Sequence, residues 1–292
     1  MKGFRKFKKT LLPWLFMTPA FLILLVVLAI PIVWTCGLSF YDWSLLYTTE
    51  KTFVGFKKYA EILTSPIFWK SLKITMILTV ACTFFEFIIG LALALLLNRE
   101  IRARNIFRGL FLIPMMITPI VVGLQWRWLY DTEYGLINYF VGMIGFSRPN
   151  WLINKSWVLP SIIIAETWEN CGYVILFLLA GLQSIPQSLY EAAQLDGASR
   201  LKRLLNITLP LLKPVILIVL IMRSVVSFRI FALIYTLTGG GPANATKNLA
   251  MLTYETGFSY WRIGQAAALA VFMMGVCMFM GIFYIKFIKI ER

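Results

Sequence analysis

The chain has 292 residues, 60% of them hydrophobic and only 14% charged, with a mean hydropathy of +0.79. A soluble domain of that make-up would lack polar residues for its surface, so the composition marks an integral membrane protein with no stretch left over for an added soluble domain. The net charge of +15 does not indicate nucleic acid, because the basic residues are spread through loops between apolar runs, and the absence of histidine argues against hydrolytic and metal chemistry.

A basic tail, residues 1–10, precedes an apolar run over 12–37. That run is too long for a signal-peptide core and shows no small-residue cleavage site, so it reads as a first transmembrane helix. Five further runs follow, at about 72–97, 107–130, 157–181, 209–234 and 264–287. Each can cross a hydrocarbon core of roughly 30 Å, which needs about 20 residues. The chain is thus expected to be an all-α membrane protein with six transmembrane helices over residues 11–290. Cys36, Cys82, Cys171 and Cys277 have neither metal nor redox spacing and read as packing residues.

Between the first two spans lie Tyr41, Trp43, Phe53, Phe56, Tyr59 and Trp69, and Trp151 and Trp157 precede the fourth. They suit an interfacial aromatic belt or a docking surface for an outside partner. Glu86 in the second span is followed by Gly90 and Ala94, spaced for close helix packing, and reads as a helix-contact residue. The fourth span carries Glu166, Glu169, Asn170 and Tyr173 at i, i+3, i+4 and i+7, on one face. The fifth carries Arg223, Ser227 and Ile230 on one face, with Val226 beside them and Arg229 off the stripe. Ionisable groups inside a membrane face a cavity or a partner. Two such stripes offer donors, acceptors and an aromatic face to a polyhydroxylated solute, or else hold the helices together through a Glu169–Arg223 ion pair.

The segment 184–208 is polar and structured. It reads as two short helices: Ser184 and Gln187 resemble a capping box, Pro186 suits a first turn, and Gly197 supplies the left-handed residue that ends the first helix. Leu201, Leu204 and Leu205 are expected on one side of the second helix, with Arg200, Lys202 and Arg203 toward water. Pro210 and Pro214 open the fifth span, and Thr238-Gly239-Gly240-Gly241-Pro242 follows it as a flexible turn. With the N-terminus inside, the segments 1–10, 98–108, 182–213 and the C-terminal tail all face the cytoplasm. They hold more Lys and Arg than the outer segments, which include Lys51, Lys57, Lys58 and Lys247, so both termini are expected to be cytoplasmic.

Glu191-Ala192-Ala193, Asp196-Gly197-Ala198, Arg203 and Ile207-Thr208-Leu209-Pro210 closely resemble the cytoplasmic coupling loop of ABC importer permeases, and Leu237-Thr238-Gly239-Gly240-Gly241-Pro242 resembles a hallmark of their carbohydrate-uptake branch. The whole chain resembles the maltose-transporter F type and the related glycerol-3-phosphate, raffinose and multiple-sugar permeases, without the maltose protein's extra N-terminal helices and periplasmic insertion. The resemblance implies a type I importer fold in the cell membrane. It also implies a second permease subunit, two cytoplasmic ATPase subunits that hold the ATP and magnesium, and an extracytoplasmic solute-binding protein. Coupling would fall to Glu191, Ala192, Ala193, Asp196, Gly197, Ala198, Arg203 and Pro210. Substrate contacts, carried over by position, would fall at Glu169, Asn170, Tyr173, Arg223, Val226, Ser227 and Ile230, whose identities mostly differ from the maltose pattern. No cofactor and no metal is expected in this chain, which has no Gly-x-x-x-x-Gly-Lys phosphate loop and no catalytic residue of its own. The alternatives are an importer for a non-sugar or phosphorylated solute, an ion-gradient-driven transporter using Glu86 or Glu169, and a membrane-embedded enzyme, which the lack of a clustered nucleophile and base disfavours.

Overall fold

The computed structural model describes residues 14, 16–46, 48–99 and 102–289. The predicted tail 1–10, the start of the first predicted span and the terminal Arg292 lie outside the described residues. In chain order the elements are α1 (Phe16–Leu38), β1 (Tyr41–Ser44), β2 (Thr48–Phe53), α2 (Lys57–Thr64) and α3 (Pro66–Leu97). There follow α4 (Arg104–Met116), α5 (Pro119–Leu129), α6 (Leu136–Met143), α7 (Lys155–Gln183), α8 (Gln187–Leu195), α9 (Arg200–Phe228), α10 (Ala232–Leu237), α11 (Leu249–Tyr254) and α12 (Ile263–Lys289).

Among the described residues five helices, α1, α3, α7, α9 and α12, are long and apolar enough to cross a membrane. The expected third span is not one straight helix. Pro114 and Pro119 break it into α4 and α5, which meet at 100°. A proline removes a backbone donor and clashes with the preceding turn, so the helix cannot run through either position unbent. Counted as one, the bent pair gives the sixth span. The fifth also stops early: α9 ends at Phe228, and Arg229 to Phe231 separate it from α10.

The chain divides into two compact units, residues 1–65 with 253–274, and residues 66–252 with 275–292. In the first, a β-hairpin stands where only a loop was expected. Tyr41 pairs with Phe53 and Asp42 with Thr52, and the Tyr41 and Phe53 rings meet edge to face at 5.4 Å, the cross-strand contact that holds a short hairpin. Buried Lys58 bonds Asp42 at 3.0 Å and Glu61 at 3.1 Å, and the Tyr59 hydroxyl donates to Ser39 Oγ at 2.7 Å. Phe53 and Phe56 remain exposed. The helix α1 carries no buried residue.

In the second unit α3, α7 and α9 pack together around two apolar clusters. One joins Ala94, Leu97, Val174, Leu178, Leu182 and Leu212. The other joins Leu78, Cys82, Val122, Trp126, Ile162 and Leu233. Gly90 lies against Val174: a Cβ there would fall 2.5 Å from its Cγ1, so the missing side chain is what lets α3 and α7 approach. Trp151 is part of this core and not of an aromatic belt. It is buried beside Tyr130 and Trp157, and its indole N–H donates to Asn138 at 2.8 Å.

Candidate functional site

A polar layer sits on α3, α7 and α9, between the two apolar clusters. Glu86, on α3, is wholly buried. Arg223, on α9 and 6% exposed, grips it in fork geometry: Nε donates to Oε2 at 2.6 Å and Nη2 to Oε1 at 3.0 Å. Nη1 donates to Asn170 Oδ1 at 3.1 Å, and Nη2 reaches Glu166 Oε1 at 3.4 Å. Asn170 in turn donates to Glu166 Oε1 at 3.0 Å. Charge-assisted, bidentate bonds of this kind are among the strongest available to a buried guanidinium, and here they use all three of its nitrogens. The guanidinium also lies 6.0 Å from the centre of the Tyr173 ring.

The expected Glu169–Arg223 pair is therefore replaced by Glu86–Arg223, with Glu166 as a second acid. Sequence spacing could not reveal this, because Glu86 and Arg223 come from helices far apart in the chain. Glu166 belonged to the predicted stripe but not to the residues assigned by resemblance. Glu169 itself is 4% exposed, and its Oε2 has no hydrogen-bonding partner among the described residues.

Two adjacent cavities open on this layer. One, of about 370 Å³, is lined by Glu166, Glu169, Asn170, Val226, Arg229 and Ile230 among others. The second, of about 240 Å³, includes Asn170, Tyr173, Arg223 and Val226. Six of the seven predicted contacts thus line one cavity or both. Ser227 lines neither: it is 1% exposed and its hydroxyl has no partner among the described residues.

The 184–208 segment folds as two helical pieces. The predicted capping box does not form. The Ser184 hydroxyl donates to the Gly181 carbonyl at 2.8 Å and closes α7, while Pro186 takes the cap position of α8 without a side-chain bond. At the other end Gly197 adopts φ +73°. Ala198 N–H donates to Ala193 and Gly197 N–H to Gln194, the paired bonds of a Schellman ending. Ser199 then caps the start of α9, accepting from Lys202 N–H. A π-turn at Leu204–Thr208 carries the helix into the membrane-crossing part of α9, and Tyr190 and Thr208 hydroxyls lie 3.0 Å apart. Leu195 is 90% exposed, and Leu189, Leu201 and Leu205 are exposed too, whereas Leu204 and Arg203 are half-buried. Glu191, Ala192 and Asp196 are exposed as well. The segment is thus a short helical hairpin that leaves Leu189, Leu195, Leu201 and Leu205 exposed.

A bundle with a broken third span, a buried polar layer beside two cavities and an apolar lever outside the bundle defines a polytopic transport component. Residues 86–288 match the family of binding-protein-dependent transport system inner membrane components. The chain belongs to that family and is an ABC transporter permease. It is 35% identical to the trehalose/maltose transport system permease protein MalF of Thermococcus litoralis, over 98% of this chain and 97% of that protein. It is 34% identical to the sulfoquinovosyl glycerol transport system permease protein SmoG of Agrobacterium fabrum, over 96% of this chain and 91% of that protein. The fold is shared with a chain of a bacterial ABC transporter involved in the import of the acidic polysaccharide alginate, with a TM-score of 0.84 at 24% identity and 98% of both chains covered.

Proposed function

We propose that this permease forms half of the translocation path of an ATP-driven importer for a sugar or oligosaccharide. A second permease of similar fold would complete the path, two cytoplasmic ATPase subunits would hydrolyse ATP, and an extracytoplasmic binding protein would deliver the solute. The observation that carries this reading is the 187–206 lever, with exposed Leu195 and Leu201, on the same chain as the polar cavities. The sugar assignment is supported by the relatives, which include a trehalose/maltose and a sulfoquinovosyl glycerol permease.

With both termini in the cytoplasm, the positive-inside bias puts the lever where an ATPase can reach it. Closure of the ATPase dimer pushes the lever, and α9, continuous with it through the π-turn, carries the movement to Arg223 and the cavity wall. The spans then rock from inward-facing to outward-facing around a site near mid-membrane. At that site Glu169 accepts from a sugar hydroxyl, Asn170 and Tyr173 supply amide and phenol, and Val226 and Ile230 line the apolar side. Arg223 is engaged by Glu86 and holds the site in shape.

The test is uptake of labelled disaccharides into liposomes that hold the complete transporter, its binding protein and internal ATP. Uptake that needs ATP and survives a protonophore supports the reading. Uptake that persists without ATP and collapses with the protonophore replaces it with a gradient-driven transporter.

A further inference from the structure

Beside the 184–208 segment lies a third cavity, of about 590 Å³, away from the proposed solute site. Arg99 and Asn98 line it from the end of α3, Arg200 and Arg203 from the start of α9, and Tyr190 and Thr208 add hydroxyls. Three arginines from two distant parts of the chain thus line one space, and no acidic residue is among its described lining residues. The side chains of Arg99 and Arg200 make no hydrogen bond or ion pair among the described residues, and Arg203 makes one long bond, 3.4 Å to Gln194 Oε1. Like charges gathered around one cavity repel one another, and an anion placed between them turns that repulsion into attraction. Planar guanidinium forks match the oxygen geometry of phosphate, and the Asn98 and Gln187 amides can complete its shell, the Tyr190 and Thr208 hydroxyls being bonded to each other.

We propose that this cavity binds a phosphate group, from either a phospholipid head group or a soluble phosphate compound, and that the bound phosphate ties the lever to the end of α3. Because Arg99 sits just past the end of α3 and Arg200 and Arg203 on the lever, occupancy restrains the lever in the position seen here. The proposal concerns binding alone, and its test does not depend on which solute is carried.

The experiment is hydrogen exchange over residues 196–206 in the transporter complex purified with this chain. One set of phosphatidylcholine nanodiscs receives inorganic phosphate or chloride at matched ionic strength, and a second set contains phosphatidylglycerol. Exchange should slow about tenfold when phosphate is present at ten times its dissociation constant. Protection by phosphate in phosphatidylcholine identifies a soluble ligand, and protection by phosphatidylglycerol alone identifies a lipid head group. Arg99→Gln should raise the phosphate or phosphatidylglycerol needed by about tenfold, through loss of one charge-assisted contact, with exchange elsewhere unchanged. Exchange that responds to neither anion source, or that responds equally in Arg99→Gln, overturns the proposal.

Discussion

Replacing Glu86 by leucine tests the polar layer directly. Glu86 accepts two bonds from Arg223, at 2.6 and 3.0 Å, with its carboxylate wholly buried. A hydrogen bond to a charged group contributes about 1.5–3 kcal/mol, and breaking a buried ion pair by removing one partner costs about 3–5 kcal/mol. Arg223 keeps Asn170 at 3.1 Å and Glu166 at 3.4 Å, so the lower part of that range applies, about 3 kcal/mol. For a chain of this size that corresponds to a fall in Tm of roughly 5–10 °C, read by thermal unfolding of the purified protein in detergent. The double substitution Glu86→Leu/Arg223→Leu removes both charges together and should lie closer to the native chain than the sum of the single substitutions, with a coupling energy of at least about 2 kcal/mol. A single-variant loss below about 1 kcal/mol, or strict additivity in the double variant, would refute the keystone role of this pair.

Gly90→Ala pushes a methyl group to within 2.5 Å of Val174 and should destabilise the α3–α7 contact by about 1–3 kcal/mol, seen as a lowered Tm; an unchanged Tm would mean the helices are free to separate. Gly197→Val forces a branched side chain into φ +73°, a local cost of about 1–2 kcal/mol. That variant should still insert into the membrane while ATP hydrolysis no longer drives uptake, and normal uptake would sink the lever mechanism. Glu169→Gln replaces a buried carboxyl that lines the 370 Å³ cavity. It should raise the solute concentration for half-maximal uptake about tenfold with Tm nearly unchanged, whereas unaltered uptake would move the solute site elsewhere.

Much of the architecture was legible because a membrane imposes length. Runs of about 20 apolar residues have little choice but to be helices: α3, α7 and α12 cover the expected segments, and α9 overlaps the fifth, starting earlier and ending at Phe228. The helix ending at Gly197 was legible for a different reason: glycine has the conformational freedom such an ending needs, and the structure uses it so. Ser184 misled because a hydroxyl can cap either the helix ahead of it or the one behind, and here it closes α7. The kink between α4 and α5 was latent in Pro114 and Pro119, although sequence alone does not say whether neighbours will straighten such a helix. The hairpin Tyr41–Phe53 was hidden by its shortness and by turn residues without the usual glycine signal. In the site, helical spacing placed Glu166, Glu169, Asn170 and Tyr173 on one face, and the cavities lie there. The choice of partner for Arg223 depended on which helix packs opposite it, and α3 brings Glu86 there.

We propose that this permease works only within a larger ATP-driven assembly. Gentle-detergent purification of the tagged chain from its native membrane, with co-purifying proteins identified and quantified by mass spectrometry, tests it most directly. A second permease of similar fold and an ATPase, in stoichiometric amounts, is the predicted result. A chain that emerges alone or only with itself, and still transports in liposomes without ATP, would contradict the account.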